Sequence, residues 1–256
     1  MKIVVCIKQV PAKDAPLHIA EGASWIRETD IGFEMNEPDS FALEEALRLK
    51  EKHGGEVIVV SMGPDRARQT IKEALAKGAD RGILVTDDKS FLLDPLSSAK
   101  SLAAAIQKES ADLILTGLQS DDQGFGQTGV LLAEVLDLPH ATIIMQIEID
   151  GTHMKVKREL EAGWFQSIEL QLPAVLSIQS GINKVRYASL KGIMAAKKKE
   201  IVTISRESLG VVQDLTQRVE RIYVPQKMKK TEFITGSPKE AAAKLIEKLR
   251  HEARVL

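Results

Sequence analysis

One cysteine, Cys6, is all that these 256 residues hold, so neither an internal disulfide nor a multi-cysteine metal site can form. That suits a reducing compartment, and the chain is expected in the cytoplasm. Aromatic residues make up only 4%, too few for a surface that stacks nucleic-acid bases. Neither sign of charge is in excess. A net charge of -1 leaves no global field to draw the chain to nucleic acid or anionic lipid. No apolar run approaches the roughly 18 residues of a membrane-spanning helix. The opening MKIVVCIKQV is too short an apolar run for a secretory signal. Hydrolytic signatures are missing too: there is no G-x-S-x-G, and no P-loop G-x-x-x-x-G-K-[ST], so ATP hydrolysis has no support. The five histidines, His18, His53, His140, His153 and His251, are scattered, and none lies at metal-ligand spacing.

What is present is alternation. Over the first 140 residues, short β-branched runs (IVVCI at 3–7, VIVVS at 57–61, GILVT at 82–86, LILTG at 113–117) are separated by helix-like stretches. Strands this continuously apolar are buried on both faces of a parallel sheet. The stretch 40–55 has Ser40 as its cap and Gly54 as its stop, with Phe41, Leu43, Ala46, Leu47 and Leu49 largely on one face. The stretch 64–80 opens on Pro64 and ends at Gly78, and 94–110 and 126–139 follow the same logic. The repetition predicts an α/β fold: a doubly wound, mainly parallel, Rossmann-like sheet. After Pro139 the segments ATIIMQIEID, HMKVKREL and QSIELQLPAVLSI, with turn signals at Asp150-Gly151 and Ala162-Gly163, predict an antiparallel hairpin added at the sheet edge. From 184 regular patterning fades, apart from IVTI (201–204), RIYV (221–224) and a terminal helix over 238–256 capped by Ser237. The chain therefore divides into an α/β domain, 1–183, and an extended arm, 184–256. An arm too irregular for its own core is expected to pack on something else, such as another chain.

Ligands of a doubly wound sheet bind beyond the carboxyl ends of its strands. Three stretches lie there: KQVPAKD (8–14), SMGPD (61–65) and TGLQSDDQGFGQTG (116–129), the last with four glycines in fourteen residues. Gly124, Gly126 and Gly129 allow close backbone approach and leave amides free at a helix start, which suits a phosphate. Gln119, Ser120, Asp121, Asp122, Gln127 and Thr128 can fix ribose and base edges. The competing reading is a glycine-containing loop that holds no ligand. Asn36 to Asp39 read first as helix caps, and Cys6 as a buried inert thiol. No catalytic constellation stands out. The segment RYASLKGIMAAKKKEI (186–201) sets Leu190, Ile193 and Met194 beside Lys197, Lys198 and Lys199. On a lone domain that is an exposed apolar patch, the mark of an interaction site.

In combination these stretches resemble the beta subunit of electron transfer flavoproteins across nearly the whole length. The residues that carry the resemblance are KIVVCIKQVP at the start, MNEPDSFALEEALRLKE (35–51), SMGPDRARQTIKEALAKGADRGILV (61–85), the LILTGLQSDDQGFGQTG loop, VKRELEAGWFQSIELQLPAVLSI (156–178) and RYASLKGIMAAKKKEI. The 156–178 stretch looks like the family signature at Val156, Arg158, Glu161, Gly163, Gln166, Ile168 and Pro173. Ala162 departs from it, standing where the family usually has glycine or aspartate.

The resemblance implies a heterodimer with an alpha subunit. It implies electrons taken from flavin dehydrogenases, such as acyl-CoA dehydrogenases, and passed to a quinone oxidoreductase or another acceptor, with no bond-breaking chemistry in this subunit. The redox FAD would sit mainly in the alpha subunit near the interface, and a structural AMP in the beta subunit. Carried over residue by residue, the AMP pocket uses Cys6, then Asn36, Glu37, Pro38 and Asp39, then Met62. It adds Gly117, Leu118, Gln119, Ser120, Asp121, Asp122, Gln123, Gly124, Phe125, Gly126, Gln127 and Thr128. In members that bifurcate electrons a second FAD fills that pocket. Here Gly126-Gln127-Thr128-Gly129 looks closer to the AMP-binding Asn-Gln-Thr-Gly version, which favours AMP. Leu190 would anchor partner dehydrogenases, supported by Ile193 and Met194 and steered by Lys197, Lys198 and Lys199; the competing reading packs the three apolar residues on the alpha subunit. The terminal helix of the arm would pack on the alpha subunit. Two further classes compete: a nucleotide-binding regulatory module of the universal-stress type, which has no use for residues 156–256, and a non-binding structural partner, against which the glycine loop weighs.

Overall fold

A computed structural model describes residues 1–256 except 23, 24, 30, 213, 214 and 226–230. The apolar runs become strands and the stretches between them helices, in the order β1 (Lys2–Cys6), β2 (Gln9–Pro11), β3 (Phe33–Met35), α1 (Glu37–His53), β4 (Glu56–Gly63), α2 (Arg68–Lys77), β5 (Arg81–Thr86), α3 (Pro95–Ile106), β6 (Leu113–Gly117) and α4 (Thr128–Leu136). There follow β7 (His140–Asp150), β8 (His153–Glu159), β9 (Phe165–Gln171), β10 (Ala174–Ile178), α5 (Leu190–Ala196), β11 (Ile201–Ser205) and α6 (Pro238–His251). Nine strands form one sheet in the order β11-β5-β4-β1-β6-β10-β7-β8-β9, and β2 and β3 pair separately as a short antiparallel ribbon.

Because successive side chains of a strand point to opposite faces, β1 feeds two cores. Ile3 and Val5 join Val57, Val59, Leu113 and Leu115 beneath Leu43 and Leu47 of α1 and Ile71 and Leu75 of α2. Val4 and Cys6 join Ile58, Val60 and Ile114 beneath Leu102 of α3 and Leu132 of α4. Each such side chain withdrawn from water stabilises the fold by about 2 kcal/mol. The expected mainly parallel, doubly wound α/β architecture is the one found.

Two local expectations are corrected. Helix α1 starts at Glu37, not after Ser40, because Pro38 fits a first turn and Glu37 and Asp39 place negative charge at the positive end of the helix. The stretch QSIELQLPAVLSI is two strands. Its alternating half becomes β9 at the sheet end, paired antiparallel with β8. Its continuously apolar half, β10, is buried throughout and inserts between β6 and β7, parallel to both. The antiparallel addition is therefore β8 and β9 alone. Of the two short alternations noted after 184, IVTI lies in β11 and RIYV stays irregular.

The described chain falls into two compact units, Met1–Ile222 and Tyr223–Leu256. The first runs past the boundary expected at 183/184, since β11 pairs in parallel with β5 and extends the sheet. In the second, α6 carries a full capping box, Ser237 with Glu240, and ends at His251. Among the described residues no helix is long and apolar enough to cross a membrane.

Candidate functional site

A cleft opens where β1, β4 and β6 end, in the position that a doubly wound sheet offers to ligands. Its floor is set by α1. Asp39, in the first turn, is buried, and its two carboxylate oxygens accept from the backbone N–H groups of Lys8 (2.7 Å) and Gly117 (3.0 Å), tying the end of β1 to the end of β6. Burial pushes its carboxyl up to about 7, against those hydrogen bonds. Gly117 is required there. A Cβ would meet Asp39 Oδ1 at 2.2 Å and the backbone of Pro38 and Asp39 at 2.8 Å. Asn36 is equally committed: its Nδ2 donates to the Gln119 carbonyl and its Oδ1 accepts from the Asp121 N–H, both at 2.9 Å, clamping the loop 118–127 to the helix start.

That loop forms one wall. It follows β6 and opens α4, whose first turn no side chain caps. Gln127 and Thr128 line the cleft at this helix start, where free N–H groups and the helix dipole favour an anion. The run Gly124 to Gly129 has the spacing G-x-G-x-x-G at a strand–loop–helix junction, so the chain does carry that fingerprint spacing. Its third glycine serves packing rather than a ligand. A Cβ on Gly129 would meet Ser177 Oγ at 2.3 Å and Thr116 Oγ1 at 2.6 Å, so α4 lies directly on β6 and β10.

The apolar side of the cleft comes from Cys6, Met62, Leu93 and Leu102. Burial, with the nearby Asp39, pushes the Cys6 thiol up to about 12, so it stays protonated and unreactive. Two cations stand at the rim. Lys8 Nζ donates to Asp122 Oδ1 (2.7 Å) and Gln123 Oε1 (2.9 Å). The Arg66 guanidinium lies 3.7 Å from the centre of the Phe33 ring.

Of the residues expected at the pocket, all but Glu37, Pro38, Asp121 and Gly124 line this cleft. Glu37 is exposed and pairs with Lys13. Pro38 is buried in α1, Asp121 accepts from the Glu37 N–H, and Gly124 donates to the Ser120 carbonyl inside the loop. Sequence reasoning did not single out Lys8, Gln9, Trp25, Glu28, Phe33, Arg66 or Phe91: Lys8 and Gln9 lie in the strand-end stretch 8–14 and Arg66 just past 61–65, whereas Trp25, Glu28, Phe33 and Phe91 come from segments without any motif. Among the described residues, no group of His, Cys, Asp and Glu could hold a metal ion.

The segment 186–201 lies on α2 at the other end of the chain's order. Arg186 fixes its start, donating from Nε to Glu44 (2.8 Å) and pairing with Glu51. Lys199 fixes its end, half-buried with Nζ on the Leu75 and Ala79 carbonyls at the close of α2. Between them α5 sits so close that a Cβ on Gly192 would meet the Ala76 carbonyl at 2.2 Å. This leaves Leu190 83%, Met194 68% and Ile193 45% exposed, with Tyr187 at 95%. Lys197 and Lys198 are exposed; Lys199 is not the free rim charge that its place in the run suggests.

Fold and cleft define a Rossmann-like α/β protein whose main cleft is built on β1, β6 and the starts of α1 and α4. A family model described as "Electron transfer flavoprotein domain" matches residues 24–209. Electron transfer flavoprotein subunit beta of Methylophilus methylotrophus is 40% identical over 96% of this chain and 97% of its own. The protein of the same name from Bradyrhizobium diazoefficiens is 38% identical over the whole of both chains, and that from Homo sapiens 37% identical over 100% and 99%. The chain belongs to the electron transfer flavoprotein family, among its beta subunits.

Proposed function

We propose that this chain is the beta subunit of a heterodimeric electron carrier. It accepts electrons from flavin dehydrogenases, such as acyl-CoA dehydrogenases, and passes them to a quinone oxidoreductase or another acceptor. It performs no bond-breaking chemistry of its own, in keeping with an unreactive Cys6 in the cleft. AMP binds in the cleft as a structural ligand. The donor set fits it: apolar walls at Cys6, Met62 and Leu102 for the base, hydroxyl and amide groups on Ser120, Gln127 and Thr128, and the uncapped start of α4 for the phosphate. The observation that carries the reading is the coincidence of this cleft with the pocket that the family resemblance implies. Asn36 and Asp39 shape the pocket in this account, since their polar side-chain atoms are engaged within the chain.

The redox FAD is held mainly by the alpha subunit at the interface, with this chain helping to enclose it. The arm, 184–256, divides the remaining work. Leu190, supported by Ile193 and Met194, anchors the donor dehydrogenase, and Lys197 and Lys198 steer the encounter. The terminal helix packs on the alpha subunit. The lone buried Cys6 suits the reducing cytoplasm.

Co-expression with an alpha subunit tests this. The expected result is a yellow heterodimer whose flavin is bleached by a reduced acyl-CoA dehydrogenase. A colourless, stable, ATP-binding homodimer would overturn it.

A further inference from the structure

The cleft has a buried floor and a half-buried rim, and the rim closes on itself. From Lys8 the contacts pass to Gln123, whose Nε2 donates to the Phe91 carbonyl at 3.2 Å. The Phe91 ring stacks on Trp25, centroids 5.2 Å apart at 22°. Trp25 Nε1 donates to Glu28 Oε1 at 3.0 Å, and the same oxygen accepts from Arg66 Nη2 at 2.8 Å. Arg66 also donates to the Oε1 of Gln9, the neighbour of Lys8. Every member lines the cleft and every member is half-buried, whereas Cys6, Asn36, Asp39, Thr116 and Leu102 behind them are buried. Five separate stretches of chain supply the ring, which otherwise have no reason to be joined to one another.

We propose that this ring is a clasp across the mouth of the cleft, and that opening it governs how fast the nucleotide enters and leaves. The inference rests on the nucleotide reading above. A ring of seven side chains opens by losing its weakest joints. Those are the joint between the glycine loop and Phe91, a single neutral hydrogen bond, and the Trp25–Phe91 stack. The Glu28–Arg66–Gln9 side is stronger, because Arg66 is held by a carboxylate, an amide and the Phe33 ring together. The mouth therefore opens between the glycine loop and the 25–28 stretch.

A gate and a ligand contact have different kinetic signatures. Loosening a gate speeds entry and exit together and leaves the affinity nearly unchanged. Removing a contact speeds exit alone and weakens affinity by the same factor. The test uses the heterodimer loaded with radiolabelled AMP and chased with unlabelled AMP, with the equilibrium affinity measured alongside. Phe91→Ala and Trp25→Ala are each expected to speed release about fivefold, the fold-change that the loss of one aromatic pair corresponds to. The affinity is expected to change less than about twofold, as for a gate. Unchanged release, or an affinity weakened as much as release is accelerated, would overturn the clasp. A second readout does not depend on AMP. Trp25 and Trp164 are the two tryptophans, so in a Trp164→Phe background acrylamide quenching reports Trp25 alone. Gln123→Met is expected to raise that quenching, and an unchanged value would contradict the ring. A wild-type heterodimer that binds no labelled AMP while Gln123→Met still exposes Trp25 would sink the nucleotide reading and, with it, the clasp's role in exchange.

Discussion

The cleft and the 186–201 segment use opposite economies of contact. In the cleft the polar side chains are answered from within the chain: Asp39 by two backbone amides, Asn36 by the glycine loop, Lys8 by Asp122 and Gln123. The segment is fastened at its two ends, by Arg186 and Lys199, and presents Leu190, Ile193 and Met194 to water between them. A cleft braced within one chain keeps its shape without help. A fastened but uncovered apolar face marks a surface where a second protein can bind. The difference separates residues whose loss should unfold or empty the protein from residues whose loss should only disconnect it.

The largest effect that would break this comparison is Gly117→Ala. With a Cβ 2.2 Å from Asp39 Oδ1 and backbone just behind, nothing soft can yield. The expected loss is about 3 kcal/mol, read as a lower urea midpoint. A variant as stable as the wild type would contradict the account of the floor.

Next comes Asp94, which sits beside the cleft between Leu93 and Pro95. Its side chain caps α3 through the Ser97 N–H and accepts from the Thr216 N–H and hydroxyl. Burial opposes its ionisation, but those hydrogen bonds outweigh it and hold the carboxyl well below the usual carboxylate range. The unfolded chain therefore takes up the proton first as pH falls. The stabilisation is complete above the ordinary Asp value and disappears as pH drops through the folded one. Asp94→Ala should cost about 2 kcal/mol at neutral pH and progressively less in acid, measured by thermal melting across pH. An equal cost at every pH would refute the charged cap.

On the segment the sign of the expectation reverses. Leu190→Ala should leave the melting temperature and FAD content untouched and slow electron transfer from a sub-saturating dehydrogenase about tenfold, as truncation of a Leu anchor would. A normal transfer rate would return Leu190 to the alpha-subunit interface. The smallest effects divide the lysine run. Lys199→Met removes the donor that answers two carbonyls at the end of α2 and should lower stability by about 1 kcal/mol. Lys197→Ala with Lys198→Ala should leave stability alone and flatten the salt dependence of the transfer rate.

Much of this is legible in the amino-acid sequence. The four buried strands announced themselves because parallel strands are apolar on both faces, and the loop 116–129 announced its place at a strand end. What the sequence hid is non-local. AVLSI and QSIELQ adjoin in the chain, yet one enters the middle of the sheet and the other ends it, because strand order depends on which edges are free after β6. Local pattern put the start of α1 at Ser40, while Pro38 and two acids allowed the helix to begin at Glu37. Trp25 and Phe91 carry no motif, and Lys8 and Arg66 sit in stretches whose pattern gave no hint of their role, so only their meeting at the rim reveals them. Lys199 reads as one of three equal lysines until the end of α2 is seen beneath it. The G-x-G-x-x-G spacing at 124–129 was open to view, and its third glycine proves to be a packing residue.

The central claim is that the cleft of this chain holds AMP while the flavin belongs to the interface. Chromatography of the nucleotides released on denaturing the purified heterodimer tests it most directly. One AMP and one FAD per heterodimer is the predicted result; two FAD, or FAD with no AMP, would contradict it.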